Sequence, residues 1–243
     1  MKRIIWIISL FTVGGVIGTL LSFLLGRIPI DVFFYLSLSS FYEIFVLGPF
    51  IAGSLYLIYR DVGAVTPLSQ TDSIDEKIRW IMRFLFVLFI EGYGIHFAAN
   101  EIHTNEGYQF TPTSLTYFYD ELFGHWLTYF SVLGIILCIV ALQFRHPQEE
   151  SLENQEIFLL FGSSIFLALI VAYALIEGQT PFIAFTVLPI SVILVLIITY
   201  RQKCNPRMLP MAVFFIIMAV FAIVFVLTYG IVFSGWPQPS ELP

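Results

Sequence analysis

Of the chain's 243 residues, 58% are hydrophobic and 12% are charged, at a mean hydropathy of +0.90, whereas soluble domains run about 45–50% apolar and about 25% charged. Eleven Lys and Arg against seventeen Asp and Glu give no basic footprint for nucleic acid, and two cysteines cannot build a disulfide framework. What is left is an all-α polytopic membrane protein, one helical domain over residues 1–243.

A spanning helix takes about 20 mainly apolar residues. Seven such runs predict spans near 4–25, 32–59, 78–103, 114–143, 156–177, 180–200 and 209–235. They are too long for barrel strands, which alternate in polarity over about ten residues. The first run follows Lys2-Arg3, a basic start like that of a secretory signal. At about 22 residues it exceeds the roughly 7–15 of a signal core, and no small-x-small cleavage pattern precedes Arg27, so it is expected to stay as an anchor. Gly14-x-x-x-Gly18 within it predicts a close helix contact. Breaker chemistry at Gly26-Arg27-Ile28-Pro29, Thr66-Pro67, Thr111-Pro112, His146-Pro147 and Asn205-Pro206 separates the spans. Thr113 or Ser114 offers a hydroxyl cap for the fourth span. The Gly178–Pro181 break either divides spans five and six or interrupts one longer segment.

Basic residues predict the direction of threading. Lys2, Arg3, Arg60, Lys77, Arg79, Arg145, Arg201, Lys203 and Arg207 fall on the side of the N-terminus, and Arg27 alone falls on the other. Basic residues favour the cytoplasmic side, so the N-terminus is expected inside and the C-terminus outside a cellular membrane.

Polar residues then collect in one leaflet. By helix rise, His96 and Glu91 on span three lie about 11 and 18 Å below the outer rim, with Asn100 nearer the surface and His103 at the rim. Span four places Asp120 and Glu121 about 10 Å deep and His125 about 16 Å deep; span two brings Glu43 to a similar level. Glu177 ends span five at that rim, where Glu101 and Glu106 read as solvated charges. Ionisable groups inside spans are costly and mark function. The inner halves carry only Arg83 by comparison.

Spacing adds faces to depths. His96, Asn100 and His103 share one side of span three, while Tyr117, Glu121, His125 and Thr128 make one stripe on span four. Imidazole and carboxylate donors suit a divalent metal, zinc or iron foremost. The expected ligands are His96, His103, Glu121 and His125. Asn100, Tyr117 and Glu177 would orient them, and Asp120, Glu91 and Glu43 would serve in acid–base roles. Glu91 points away from His96 and is expected to meet Glu43 on another helix. The expected activity is metal-dependent chemistry on a lipid or other apolar substrate, with hydrolysis preferred to oxidation because no electron-transfer partner is visible. Three other readings stay open: haem with His96 and His125 as axial ligands, a proton- or ion-coupled transporter with helix breaks at Pro49 and Pro189, and an accessory subunit whose buried polar groups only pack helices.

Overall fold

Among the described residues, seven helices long and apolar enough to cross a membrane follow one another along the chain. They are α1 Arg3–Leu25, α2 Leu38–Gly63, α3 Ser73–Glu106, α4 Leu115–Arg145, α5 Asn154–Glu177, α6 Phe182–Gln202 and α7 Pro210–Val232. The computed structural model describes residues 2–26, 28, 31–33, 36–63, 72–106 and 115–239, and the side chains of all of these except 31–33 and 103–106. The expected cap at Thr113 or Ser114, and Arg27, lie outside the described residues.

Local chemistry sets the helix ends. The second span was expected from residue 32. Instead β1 Asp31–Phe33 and β2 Leu36–Ser37 pair antiparallel, and α2 starts at Leu38 because the Ser37 side chain accepts the Ser40 N–H. Helix α3 starts earlier than expected, at Ser73, because Asp72 Oδ1 accepts the N–H groups of Ile74 at 2.9 Å and Asp75 at 3.0 Å. The Asp75 N–H, with Ile74 and Arg145 assisting, holds the Asp72 carboxyl below the usual carboxylate range. A reciprocal Glu153–Glu156 capping box opens α5. Between α5 and α6, Gln179 adopts a left-handed φ of 49°, so the two spans are separate helices. Pro189, which has no N–H and crowds the carbonyl four residues back, accounts for the irregular Thr186 inside α6.

Packing divides the bundle along its length. Toward the N-terminal end a closed apolar core joins Ile4, Ile5 and Ile8 of α1 to Leu55, Ile58, Ile139, Leu142, Phe214 and Phe215. The outer faces stay apolar: Trp6, Leu10, Val13, Ile17 and Leu24 all project from one side of α1. Gly14 and Gly18 answer their predicted role, since a Cβ on either would run into Phe50 or Leu47 of α2. Ion pairs tie this end together, Arg3 to Asp61 at 3.5 Å and Arg145 Nε to Asp75 at 2.5 Å. At the opposite end Gln238 Nε2 donates to the Glu177 carbonyl at 2.7 Å, and Trp236 Nε1 to Val226 at 3.1 Å, folding the C-terminal segment back onto the bundle.

Gln143 is a buried polar residue with no local pattern to mark it out. The N-terminus of α7 lacks a side-chain cap from its own segment. Gln143 Oε1 supplies one from α4, accepting the Met211 N–H at 2.7 Å and the Ala212 N–H at 3.3 Å. Gln143→Leu should strand both donors and lower stability by about 1–3 kcal/mol. Equilibrium unfolding in detergent measures this, and an unchanged midpoint would contradict the cap.

Candidate functional site

Above the apolar core, toward the opposite end of the bundle, the seven helices line a partly open cavity of about 770 Å³. Small side chains make the room. Gly15, Thr19, Ser22 and Gly26 line it along one face of α1, and a Cβ at Gly15 would meet nothing within 4 Å. The lower wall is apolar, with Phe11, Ile136, Leu167 and Met218, and polar groups gather toward the other end.

Two π-helical turns shape that polar end. One covers Glu43–Leu47, ahead of Pro49, whose missing N–H already interrupts the regular ladder. The other covers Phe118–Gly124 and holds Asp120 and Glu121, both buried. Such widened turns occur chiefly as single insertions and often at functional sites. Gly124 lets α4 approach α3 closely: a Cβ there would lie 2.9 Å from His96 Cβ.

The side chains pair by type. His96 Nδ1 contacts Asp120 Oδ1, joining α3 to α4. His125 Nδ1 lies 3.2 Å from the Glu121 carbonyl and 3.4 Å from Glu121 Oε2, within α4. The two imidazole rings sit 4.4 Å apart between centroids, and the Tyr129 ring stacks on His125 at 5.4 Å. Each imidazole therefore has its Nδ1 occupied, and neither Nε2 has a hydrogen bond among the described residues. Glu43 accepts from Ser22 across the cavity, and Asn100 and Glu177 complete the polar lining.

Most of the sequence-predicted residues thus meet around one space: Glu43, His96, Asn100, Asp120, Glu121, His125 and Glu177. Three do not join them. Glu91 sits on the exposed face of α3 and does not meet Glu43, because an α-helix carries residues 91 and 96 to opposite sides. Tyr117 is not among the cavity-lining residues, since the π turn that follows it breaks the simple helical stripe. His103 lies on α3, and its side chain falls outside the described residues. Glu101, read as a solvated charge, instead accepts Ser37 Oγ at 2.9 Å and Ser37 N–H at 3.2 Å, anchoring the start of α2. Arg83 faces outward over the Trp80 ring at 4.9 Å.

Among the described residues no three His, Cys, Asp or Glu side chains converge to hold a metal ion. The Asp120 carboxylate meets His96 Nδ1 instead, and Glu121 Oε2 lies 3.4 Å from His125 Nδ1, too far for a good hydrogen bond. Tyr93, Tyr129, Tyr173 and Gln238 also line the cavity, and sequence reasoning missed all four. Tyr129 had a detectable signal, lying four residues beyond His125 on the same helical face. No family model matches the chain, and neither a curated protein nor a solved structure does so.

Proposed function

We propose that this protein is a multi-pass membrane enzyme that takes a lipid or other apolar substrate into the bundle. The polar group of the substrate would lie against the imidazoles of His96 and His125. The observation that carries this reading is the pair of imidazoles 4.4 Å apart, each with Nδ1 against a carboxylate-bearing residue, on the wall of a mainly apolar cavity. A carboxylate at Nδ1 fixes the tautomer and steadies the imidazolium, which leaves Nε2 to move protons. The reaction class is hydrolysis of an ester or amide linkage. Water adds to the carbonyl carbon while its proton passes to an imidazole Nε2, and that proton then leaves with the departing alcohol or amine.

The nine-to-one distribution of basic residues supports a cytoplasmic N-terminus, which puts the cavity in the outer half of a cellular membrane. A proton pathway across the whole bundle has less support, because the closed core of Ile139, Phe214 and Phe215 lies below the polar groups. A divalent metal is the second reading. Imidazoles that bind metal commonly give their other nitrogen to a carboxylate or a backbone carbonyl, as both do here.

Vesicles of total membrane lipid holding the purified protein, followed over time by mass spectrometry, test the proposal. The wild type should convert at least one lipid species, and the His96→Ala/His125→Ala double variant should not. Equal conversion by both, or none by either, would overturn the reading. Elemental analysis of the same preparations decides the second one: stoichiometric zinc or iron in the wild type alone would place a metal between the imidazoles.

A further inference from the structure

We propose that the cavity selects an amphiphile whose head is an ammonium group, such as a long-chain amine, over uncharged or anionic amphiphiles; this rests on the substrate-chamber reading above. The first support is charge. Glu43, Asp120, Glu121 and Glu177 all line the cavity, against two imidazoles and, among the described lining residues, no Lys or Arg. An anionic head would enter a space already rich in carboxylates. A cationic head would offset them in a low-dielectric surrounding, where one charge pair at contact outweighs many weaker contacts.

The second support is an unmet bond. Glu121 Oε2 is buried and accepts no hydrogen bond. Its nearest basic atom, His125 Nδ1, is 3.4 Å away and lies closer to the Glu121 backbone carbonyl, at 3.2 Å. A buried carboxylate oxygen whose nearest donor is that distant is poorly compensated, and an ammonium brings three donors. The third support is aromatic: Tyr93, Tyr129 and Tyr173 are among the residues that line the same space, and phenol rings attract cations. The apolar wall of Phe11, Ile136, Leu167 and Met218 supplies the surface for the chain. The volume, about 770 Å³, lies within the roughly 300–1,000 Å³ usual for small-molecule sites.

The test is equilibrium binding of a radiolabelled long-chain primary amine to the full-length protein in nanodiscs, with the alcohol and carboxylate of equal chain length as competitors. The amine should bind at least about tenfold tighter than the alcohol, a gap of about 1.4 kcal/mol, and the carboxylate should bind weakest. Glu121→Gln should reduce amine affinity about tenfold and leave the alcohol nearly unchanged. Glu177→Gln provides the same comparison should Glu121→Gln fail to fold. Gly15→Phe projects into the open cavity and should abolish binding of all three, with Gly15→Leu as the milder filler. Equal affinity for amine and alcohol, both lost in Gly15→Phe, overturns the ammonium preference and leaves the chamber intact. Saturable binding of no amphiphile, or binding indifferent to Gly15→Phe, overturns both.

Discussion

If the cavity carries out the proposed hydrolysis, His96→Ala and His125→Ala should each lower its rate by about 10²–10⁴-fold, the range that positioned proton transfer supplies. The two imidazoles differ in their support, so their partners should differ in effect. His96 Nδ1 rests on Asp120, a buried carboxylate from the neighbouring helix. Asp120→Asn keeps the shape but offers a mixed amide in place of an acceptor, which releases the tautomer. Its loss should therefore approach that of His96→Ala. His125 keeps a second acceptor in the Glu121 backbone carbonyl at 3.2 Å, so Glu121→Gln should cost less than Asp120→Asn. Glu91→Gln, on the outward face of α3, should leave the rate unchanged. Single-turnover rates in vesicles, normalised to folded protein by size exclusion, measure the series. Full activity in Asp120→Asn would reduce the His96–Asp120 contact to helix packing.

Asp75→Ala should produce the largest loss of stability, about 3 kcal/mol. Asp75 is 1% exposed and serves two partners at once, Arg145 Nε at 2.5 Å and His146 Nε2 at 2.7 Å. It thereby clamps the start of α3 to the end of α4, the same two helices that carry His96, Asp120 and His125 at their other ends. Removing one partner of a buried pair typically costs about 3–5 kcal/mol. The lower figure applies because Arg145 retains Asp72 and some access to solvent. His146→Ala removes its bond to Asp75 and leaves the arginine pair, so the clamp should lose about 1 kcal/mol. Chemical unfolding in detergent, monitored by tryptophan fluorescence, reads both. Equal midpoints for Asp75→Ala and wild type would show that the clamp contributes nothing to folding.

The number and order of helices were legible because hydropathy over about 20 residues is a long-range average that loop details do not disturb. The grouping was legible too: rise per residue placed Glu43, His96, Glu121 and His125 in the same half of the bundle, and they line one cavity. Angular position failed where the backbone left α-helical geometry. The π turn at Phe118–Gly124 buries Asp120 and Glu121 together although they are adjacent in sequence, which a regular helical wheel sets apart. The same reasoning gave Asp120 a role yet not its partner, since the choice of His96 depends on how closely α4 approaches at Gly124. Glu91 was misassigned because its turn away from His96 was read as facing another helix, whereas that face of α3 is exposed. Gln143 and Glu101 were missed for another reason: each caps a helix distant in sequence, at Met211 and Ser37, and no local pattern announces a cap supplied from elsewhere.

The central claim, that the cavity is an amphiphile chamber with its polar end at the two imidazoles, is tested most directly by photolabelling. A long-chain amine bearing a diazirine near the end of its chain is incorporated into vesicles with the protein, irradiated, and the adducts are mapped by peptide mass spectrometry. Adducts should concentrate on Phe11, Ile136, Leu167 and Met218, the apolar wall of the cavity, and should vanish in Gly15→Phe. Adducts confined to Trp6, Leu10, Ile17 and the other outward residues, with the same pattern in Gly15→Phe, would contradict the account.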